Sequence, residues 1–216
     1  MSCILYPGLY AITDPNLMNE KTLLAKVELA LKGGCRVIQY RDKTASAKQR
    51  LERALALKNL CITYDAQLII NDDIQLCLQS SADGVHLGKS DGDILQARKM
   101  LGPNHILGVT CHNDLDYAQE CIHSGVDYCA FGRIFPSKTK PDAPPCTLAV
   151  LKEAIKLNIA IVAIGGITLD NIESLMHTPI HSAAVIYGLF AQPDIQETAR
   201  LFQHYFNNQL TSFNHL

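Results

Sequence analysis

Along the chain, short apolar runs alternate with longer stretches whose apolar positions recur every three or four residues. The runs are Leu9-Tyr10-Ala11-Ile12, Val37-Ile38-Gln39, Leu68-Ile69-Ile70, Gly84-Val85-His86-Leu87, Ile106-Leu107-Gly108-Val109, Tyr128-Cys129-Ala130-Phe131, Ile159-Ala160-Ile161-Val162-Ala163 and Ala183-Ala184-Val185-Ile186. Each has the length and composition of a buried parallel strand. Between each pair lies a stretch of helical period, as from Leu23 to Leu31, Ala47 to Leu60 and Leu115 to Ile122. Eight strands alternating with helices predict a (β/α)8 TIM barrel, at about 25 residues per unit a compact version of a fold that usually takes roughly 250. A doubly wound sheet is the alternative, because periodicity does not show closure.

Helix starts follow the same register. Thr44 and Asn113 stand where they can cap the helices behind them, Thr168 does so after Gly165-Gly166-Ile167, and Pro193-Asp194 opens a last helix over 194 to 206. From Asn207 onward the chain is polar and reads as a frayed, flexible tail. No linker divides the 216 residues, so the expectation is one domain over 1–216 with its barrel at about 8–207.

Composition narrows the function classes. With 48% hydrophobic and 19% charged residues the chain can build a large core, and 19 basic against 21 acidic residues, scattered, give no footprint for nucleic acid. No apolar run reaches membrane-spanning length and no basic, then apolar, leader opens the chain. The 8 cysteines lack zinc spacing, and Cys35, Cys61, Cys77, Cys121 and Cys129 lie in or beside apolar runs. They read as small buried hydrophobes in a reducing, cytoplasmic setting rather than as a disulfide framework.

Three polar segments follow strand-like runs, which in a parallel α/β fold puts them together at the ligand-binding end: Gln39-Tyr40-Arg41-Asp42-Lys43, Asn71-Asp72-Asp73 and Phe135-Pro136-Ser137-Lys138-Thr139-Lys140. Arg41 and Lys43 offer a planar fork and a point charge to phosphate oxygens, with the Gln39 amide available to a heteroaromatic ring. Asp72 or Asp73, joined by Asp91 after the next strand, can supply oxygen ligands to Mg2+, although one of the adjacent pair is expected to be a helix cap. Ser137, Thr139 and Lys140 can grip a leaving diphosphate, and the glycines after strands 7 and 8 can bring backbone amides to a second phosphate. Among the histidines, His86 reads as packed within its strand, whereas His112, near Thr110, could reach the mouth.

In this order and spacing the segments resemble the thiamine-phosphate synthase family, within the superfamily that also contains thiazole tautomerases. The resemblance runs from about Leu9 to the last helix and rests on Gln39-x-Arg41-x-Lys43, Asn71-Asp72, His86-Leu87-Gly88-x-x-Asp91, Phe135 to Lys140 and Ala163-Ile164-Gly165-Gly166-Ile167. It implies a transferase that joins a hydroxymethylpyrimidine diphosphate to a thiazole phosphate, giving thiamine phosphate and pyrophosphate. Carried over by position, Gln39, Arg41, Lys43, Asn71, Ser137, Thr139 and Lys140 would hold the pyrimidine diphosphate. Arg41, Lys43 and Lys140 would neutralise the leaving charge, and Asp72 and Asp91 would hold Mg2+. Thr110 stands where the family commonly has Ser, near the pyrimidine, while Gly166, Ile186 and Tyr187 would receive the thiazole phosphate. Two positions depart from the family: Lys89 replaces a frequent Gln, and Tyr187-Gly188 stands where Ser and a small residue are common. The implied partners are these two small molecules, with a homo-oligomer left open; a tautomerase and a non-catalytic thiamine-precursor-binding protein are the alternatives.

Overall fold

The computed structural model describes residues 4–137 and 144–213, with side chains as far as Gln209. The eight runs are strands β1 (Gly8–Ile12), β2 (Val37–Tyr40), β3 (Gln67–Asn71), β4 (Gly84–Leu87), β5 (Ile106–His112), β6 (Tyr128–Phe131), β7 (Ala160–Ile164) and β8 (Ser182–Val185). Each pairs in parallel with its sequence neighbours, and β1 closes on β8 from Gly8↔Ser182 to Ala11↔Val185. The sheet is therefore a closed barrel, which excludes the doubly wound alternative. Strands β2, β3 and β5 run past the apolar segments expected of them, to Tyr40, Asn71 and His112. Their last residues line the mouth, where polar side chains take over from the core, so a hydrophobicity criterion stops short.

Around the barrel stand α1 (Leu23–Lys32), α2 (Ala47–Thr63), α3 (Ile74–Ser80), α4 (Ile94–Leu101), α5 (Leu115–His123), α6 (Leu148–Ile155), α7 (Tyr187–Phe190) and α8 (Ile195–Phe213). After β7 the chain makes only a 3-10 turn over Ile172–Leu175. The expected caps shift by a residue or two. Ser46 caps α2 with a reciprocal Gln49 bond, leaving Thr44 to bond the Asp42 carboxylate, and Asp114 rather than Asn113 caps α5. Thr168 contributes backbone groups, not a capping hydroxyl. Asp194 does open α8, accepting from Glu197 N at 2.9 Å, but α8 continues to Phe213, well beyond 206. Its Phe202 and Phe206 are buried against the barrel, which carries the helix past 206.

Two apolar clusters result. The larger packs helices on the outer strand faces, through residues such as Val27, Leu57, Leu68, Leu107 and Phe202. The smaller fills the barrel interior with Tyr10, Ile12, Val37, Ile69, Ile106, Tyr128, Val162 and Ala184. Gly108 on β5 makes this interior possible, since a Cβ there would overlap the Tyr128 ring. Cys35, Cys61, Cys77, Cys111, Cys121, Cys129 and Cys146 are all buried and unbridged. Burial pushes the Cys35 thiol up to about 11 and the Cys61 thiol up to about 12, so they pack as neutral hydrophobes. Among the described residues no helix is long and apolar enough to cross a membrane.

Candidate active site

The carboxyl ends of the strands gather the predicted polar residues at one face. Just past β2, Arg41 is tied by its backbone to Thr13, its N–H donating to Oγ1 at 2.9 Å. Its guanidinium pairs with no carboxylate among the described residues. Lys43 Nζ lies 2.9 Å from Asp72 Oδ2, joining the loops after β2 and β3. Asp72 has a left-handed backbone, φ +63°, which aspartate tolerates better than most residues. Burial disfavours its charge, but the bond and charge of Lys43 and a bond from the neighbouring Asn71 side chain outweigh this and hold it below the usual carboxylate range, with Asp91 close by. Asp73 is the cap of the pair, accepting from Leu76 N at 2.9 Å. Asp91 reaches back over its own turn, where Gly88 N donates to Oδ2 at 2.7 Å, while Asp93 caps α4.

The loop carrying Arg41 and Lys43 is anchored by Asp42. Its carboxylate accepts from Thr44 N (2.9 Å), Thr44 Oγ1 (2.8 Å) and Ala45 N (3.0 Å), and from Arg53 Nη1 at 2.7 Å. Burial opposes the charge, yet these bonds together lower its pKa. Asp42→Asn should therefore cost about 2 kcal/mol at pH 7, the scale for hydrogen bonds to a charged group. A depressed folded-state pKa stabilises above the unfolded value of roughly 3.9 and is lost as pH falls through the folded value. Denaturant titrations should show wild type and variant converging at acid pH, and a gap that persists there would contradict this.

Deeper in the mouth, Gln39 is buried and its Nε2 lies 2.8 Å from Tyr10 Oη. Tyr10 Oη is 2.8 Å from Tyr128 Oη, which is 2.9 Å from His86 Nδ1, and His86 Nε2 is 2.8 Å from Thr110 Oγ1. The residues expected beside a heteroaromatic ring, Gln39 and Thr110, are thus the two ends of one buried chain. His86 is packed within the barrel, as its strand position implies. Tyr10 and Tyr128 escaped the sequence reading, although both sit two residues from a small or apolar inward-facing neighbour. His112 ends β5 with φ +56°, and its carbonyl accepts from Gly132 N.

On the far side, the loop after β6 lies on the glycines after β7. Ile134 N donates to Ile164 O at 3.0 Å and Phe135 N to Gly165 O at 2.9 Å. Gly166, at φ +65°, passes so close to Pro136 that a Cβ would overlap its carbonyl. Ser137 is brought beside this turn. Thr139 and Lys140 lie outside the described residues, though the two ends of their loop are joined by Arg133 N to Pro144 O (3.1 Å) and Cys146 N to Arg133 O (2.8 Å). Ile186 precedes α7, and Tyr187, 45% exposed, opens it. Lys89 pairs with Asp114 Oδ2 at 2.8 Å, its Nζ lying 4.5 Å from the centroid of the Tyr117 ring.

A cavity of about 510 Å³ opens beside Lys43, Asn71 and Asp72, with Tyr40 and Arg50 behind. A larger one of about 730 Å³ lies at the opposite face among Leu5, Ile161, Ile180 and Phe206, away from these cations. Among the described residues no group of three or more His, Cys, Asp or Glu could enclose a metal. The neighbouring carboxylates of Asp72 and Asp91 nevertheless fit Mg2+, which takes oxygen ligands and keeps positions for water and substrate phosphate.

Fold and mouth define the class: a TIM-barrel protein with its polar groups assembled at the carboxyl-terminal face, where barrel enzymes place their active sites. The chain belongs to the thiamine monophosphate synthase family, whose model matches residues 9–189. It is 51% identical over 188 residues to the thiamine-phosphate synthase of Alcanivorax borkumensis, covering 87% of each chain. It is 48% identical over 202 residues to that of Marinobacter nauticus, covering 93% of this chain and 91% of the relative. Among solved structures it resembles the thiamine phosphate pyrophosphorylase of Pyrococcus furiosus with TM-score 0.86 and 32% identity, covering 94% and 96% of the two chains.

Proposed function

We propose that the barrel mouth condenses a hydroxymethylpyrimidine diphosphate with a thiazole phosphate, releasing pyrophosphate and forming thiamine phosphate in the cytoplasm. The observation that carries this reading is the Lys43–Asp72 pair beside Asp91, an ammonium against two carboxylates, which supports joint binding of phosphate and metal. Curated relatives bearing the synthase name over most of their length support the same activity. In the reaction the bond from the pyrimidine methylene to the diphosphate oxygen breaks, and its electron pair leaves with pyrophosphate. The thiazole nitrogen lone pair then forms the new C–N bond, so no protein nucleophile is needed.

The residues supply position and charge. Arg41, Lys43, Ser137, Thr139 and Lys140 hold the diphosphate, with Asn71 alongside, and the three cations take up its growing charge as it leaves. Lys43, held by Asp72 before substrate binds, exchanges that partner for phosphate oxygen. Mg2+ held by Asp72 and Asp91 would add further neutralisation of the leaving group. Gln39 and Thr110 orient the pyrimidine, and backbone amides at Gly166, Ile186 and Tyr187 receive the thiazole phosphate. Incubation of both substrates with Mg2+ should yield thiamine phosphate. A tautomerase would isomerise the thiazole phosphate without the diphosphate, and a binding protein would retain both substrates unchanged.

The bulky Tyr187 gives this reading a local test. If the main chain binds the thiazole phosphate, Tyr187→Ser should shift the thiazole KM by about three- to tenfold with little change in kcat, as expected for uniform binding. Loss of turnover with both substrates saturating would instead give the phenol a direct part in the chemistry.

A further inference from the structure

The chain Gln39–Tyr10–Tyr128–His86–Thr110 crosses the barrel through four links of 2.8 to 2.9 Å. Its inner members are buried, Tyr10 to 1%, Tyr128 to 0% and His86 to 8% exposure. His86 also stacks on Tyr128, with ring centroids 5.5 Å apart and planes at 22°. Burial raises both phenols well above their ordinary range, so each keeps its single proton. A phenol with one proton can donate only once, and that gives the chain a direction.

With a neutral imidazole, two directions exist. In one, Gln39 Nε2 donates to Tyr10, Tyr10 to Tyr128, Tyr128 to His86 Nδ1, and His86 Nε2–H to Thr110 Oγ1. Gln39 then shows the mouth its Oε1 and its second N–H side by side, and the Thr110 proton points outward. In the other, every link reverses: Oε1 turns inward, Gln39 offers only N–H groups, and Thr110 offers only an acceptor. An aminopyrimidine edge has an amino donor beside a ring-nitrogen acceptor, which the first direction matches as Gln matches adenine. An oxo-pyrimidine edge presents the opposite order and would face Oε1 with its own carbonyl oxygen.

We propose that Tyr10, Tyr128 and His86 are positioning residues that lock the polarity of Gln39 and Thr110, so that the mouth selects an amino-substituted pyrimidine over its oxo counterpart. The ligand class rests on the activity proposed above; the linkage between the two ends rests on the hydrogen bonds alone. Removing either phenolic hydroxyl breaks the chain, frees the Gln39 amide to flip, and lets the oxo edge pair. Both Tyr→Phe changes keep the ring that fills the barrel.

The test measures dissociation constants of the aminopyrimidine diphosphate, its oxo analogue and inorganic pyrophosphate, without the thiazole, for wild type, Tyr10→Phe and Tyr128→Phe. The amino preference should fall about tenfold in each variant, the scale of one hydrogen bond, with pyrophosphate affinity unchanged. An unchanged preference, or parallel weakening of all three ligands, would overturn the proposal in favour of a merely structural chain. Nitrogen NMR of labelled histidine supplies a second readout: His86 in wild type should carry its proton on Nε2, and the opposite tautomer would overturn the assigned direction. Wild type that binds pyrophosphate but neither pyrimidine would sink the proposed activity and the selectivity with it, an outcome distinct from an amino preference that survives both variants.

Discussion

Asp72→Asn should lower kcat/KM by about a hundred- to a thousandfold at low Mg2+, the scale for losing one group that stabilises transition-state charge. Two effects combine at this carboxylate. In the proposed site it is one of two adjacent carboxylates for the metal, and it holds Lys43 at 2.9 Å. Asparagine tolerates the left-handed backbone at φ +63°, so the fold should survive. Asp72→Ala, by contrast, adds backbone strain. Raising Mg2+ should recover part of the Asn variant's activity, because the Asp91 site remains. A metal titration that overlays wild type would remove Asp72 from the metal site and leave it as a structural partner of Lys43.

Gly108→Val should destabilise the barrel by about 3 kcal/mol or more, at the upper end for forcing atoms into a packed core. A Cβ at this position would fall within the Tyr128 ring, and that ring is enclosed by Tyr10, His86 and the remaining interior cluster. For a domain of this size the loss corresponds to roughly 6–12 °C in Tm. Because displacing Tyr128 also breaks the link between Tyr10 and His86, the proposed preference for an amino-substituted pyrimidine should fall in whatever fraction folds. A variant with the wild-type Tm would mean that the interior has room the packing does not show.

How much of this was legible beforehand follows from the periods involved. Buried parallel strands are apolar on both faces, so alternation vanishes: the sequence shows that Tyr10 and Tyr128 lie in strands, but not that both face inward and meet. Glycine at 108, opposite a tyrosine, was the available hint. Closure was unreadable for the same reason, since pairing of β1 with β8 joins residues more than 170 apart. Strand-end polar segments were legible because Gln39, Arg41, Lys43, Asn71, Asp72 and Asp91 interrupt apolar runs. Which of Asp72 and Asp73 caps α3 was not, because adjacent carboxylates differ only in the backbone turn that aims them. The extent of α8 was missed because Asn207 and Asn208 look like a helix end, whereas packing of Phe202 and Phe206 carries the helix on. Lys89 looked like a departure within the site; its bond to Asp114 shows a side chain directed at α5.

The central claim is that one mouth couples diphosphate departure to thiazole capture. It is tested most directly by a single-turnover reaction with enzyme in excess over the pyrimidine diphosphate, quenched in time and assayed for both products. Pyrophosphate and thiamine phosphate should appear in equal amounts and at the same rate, and both should be lost when Mg2+ is chelated. Consumption of the thiazole phosphate by isomerisation without pyrophosphate release, or binding of both substrates with neither product formed, would contradict it.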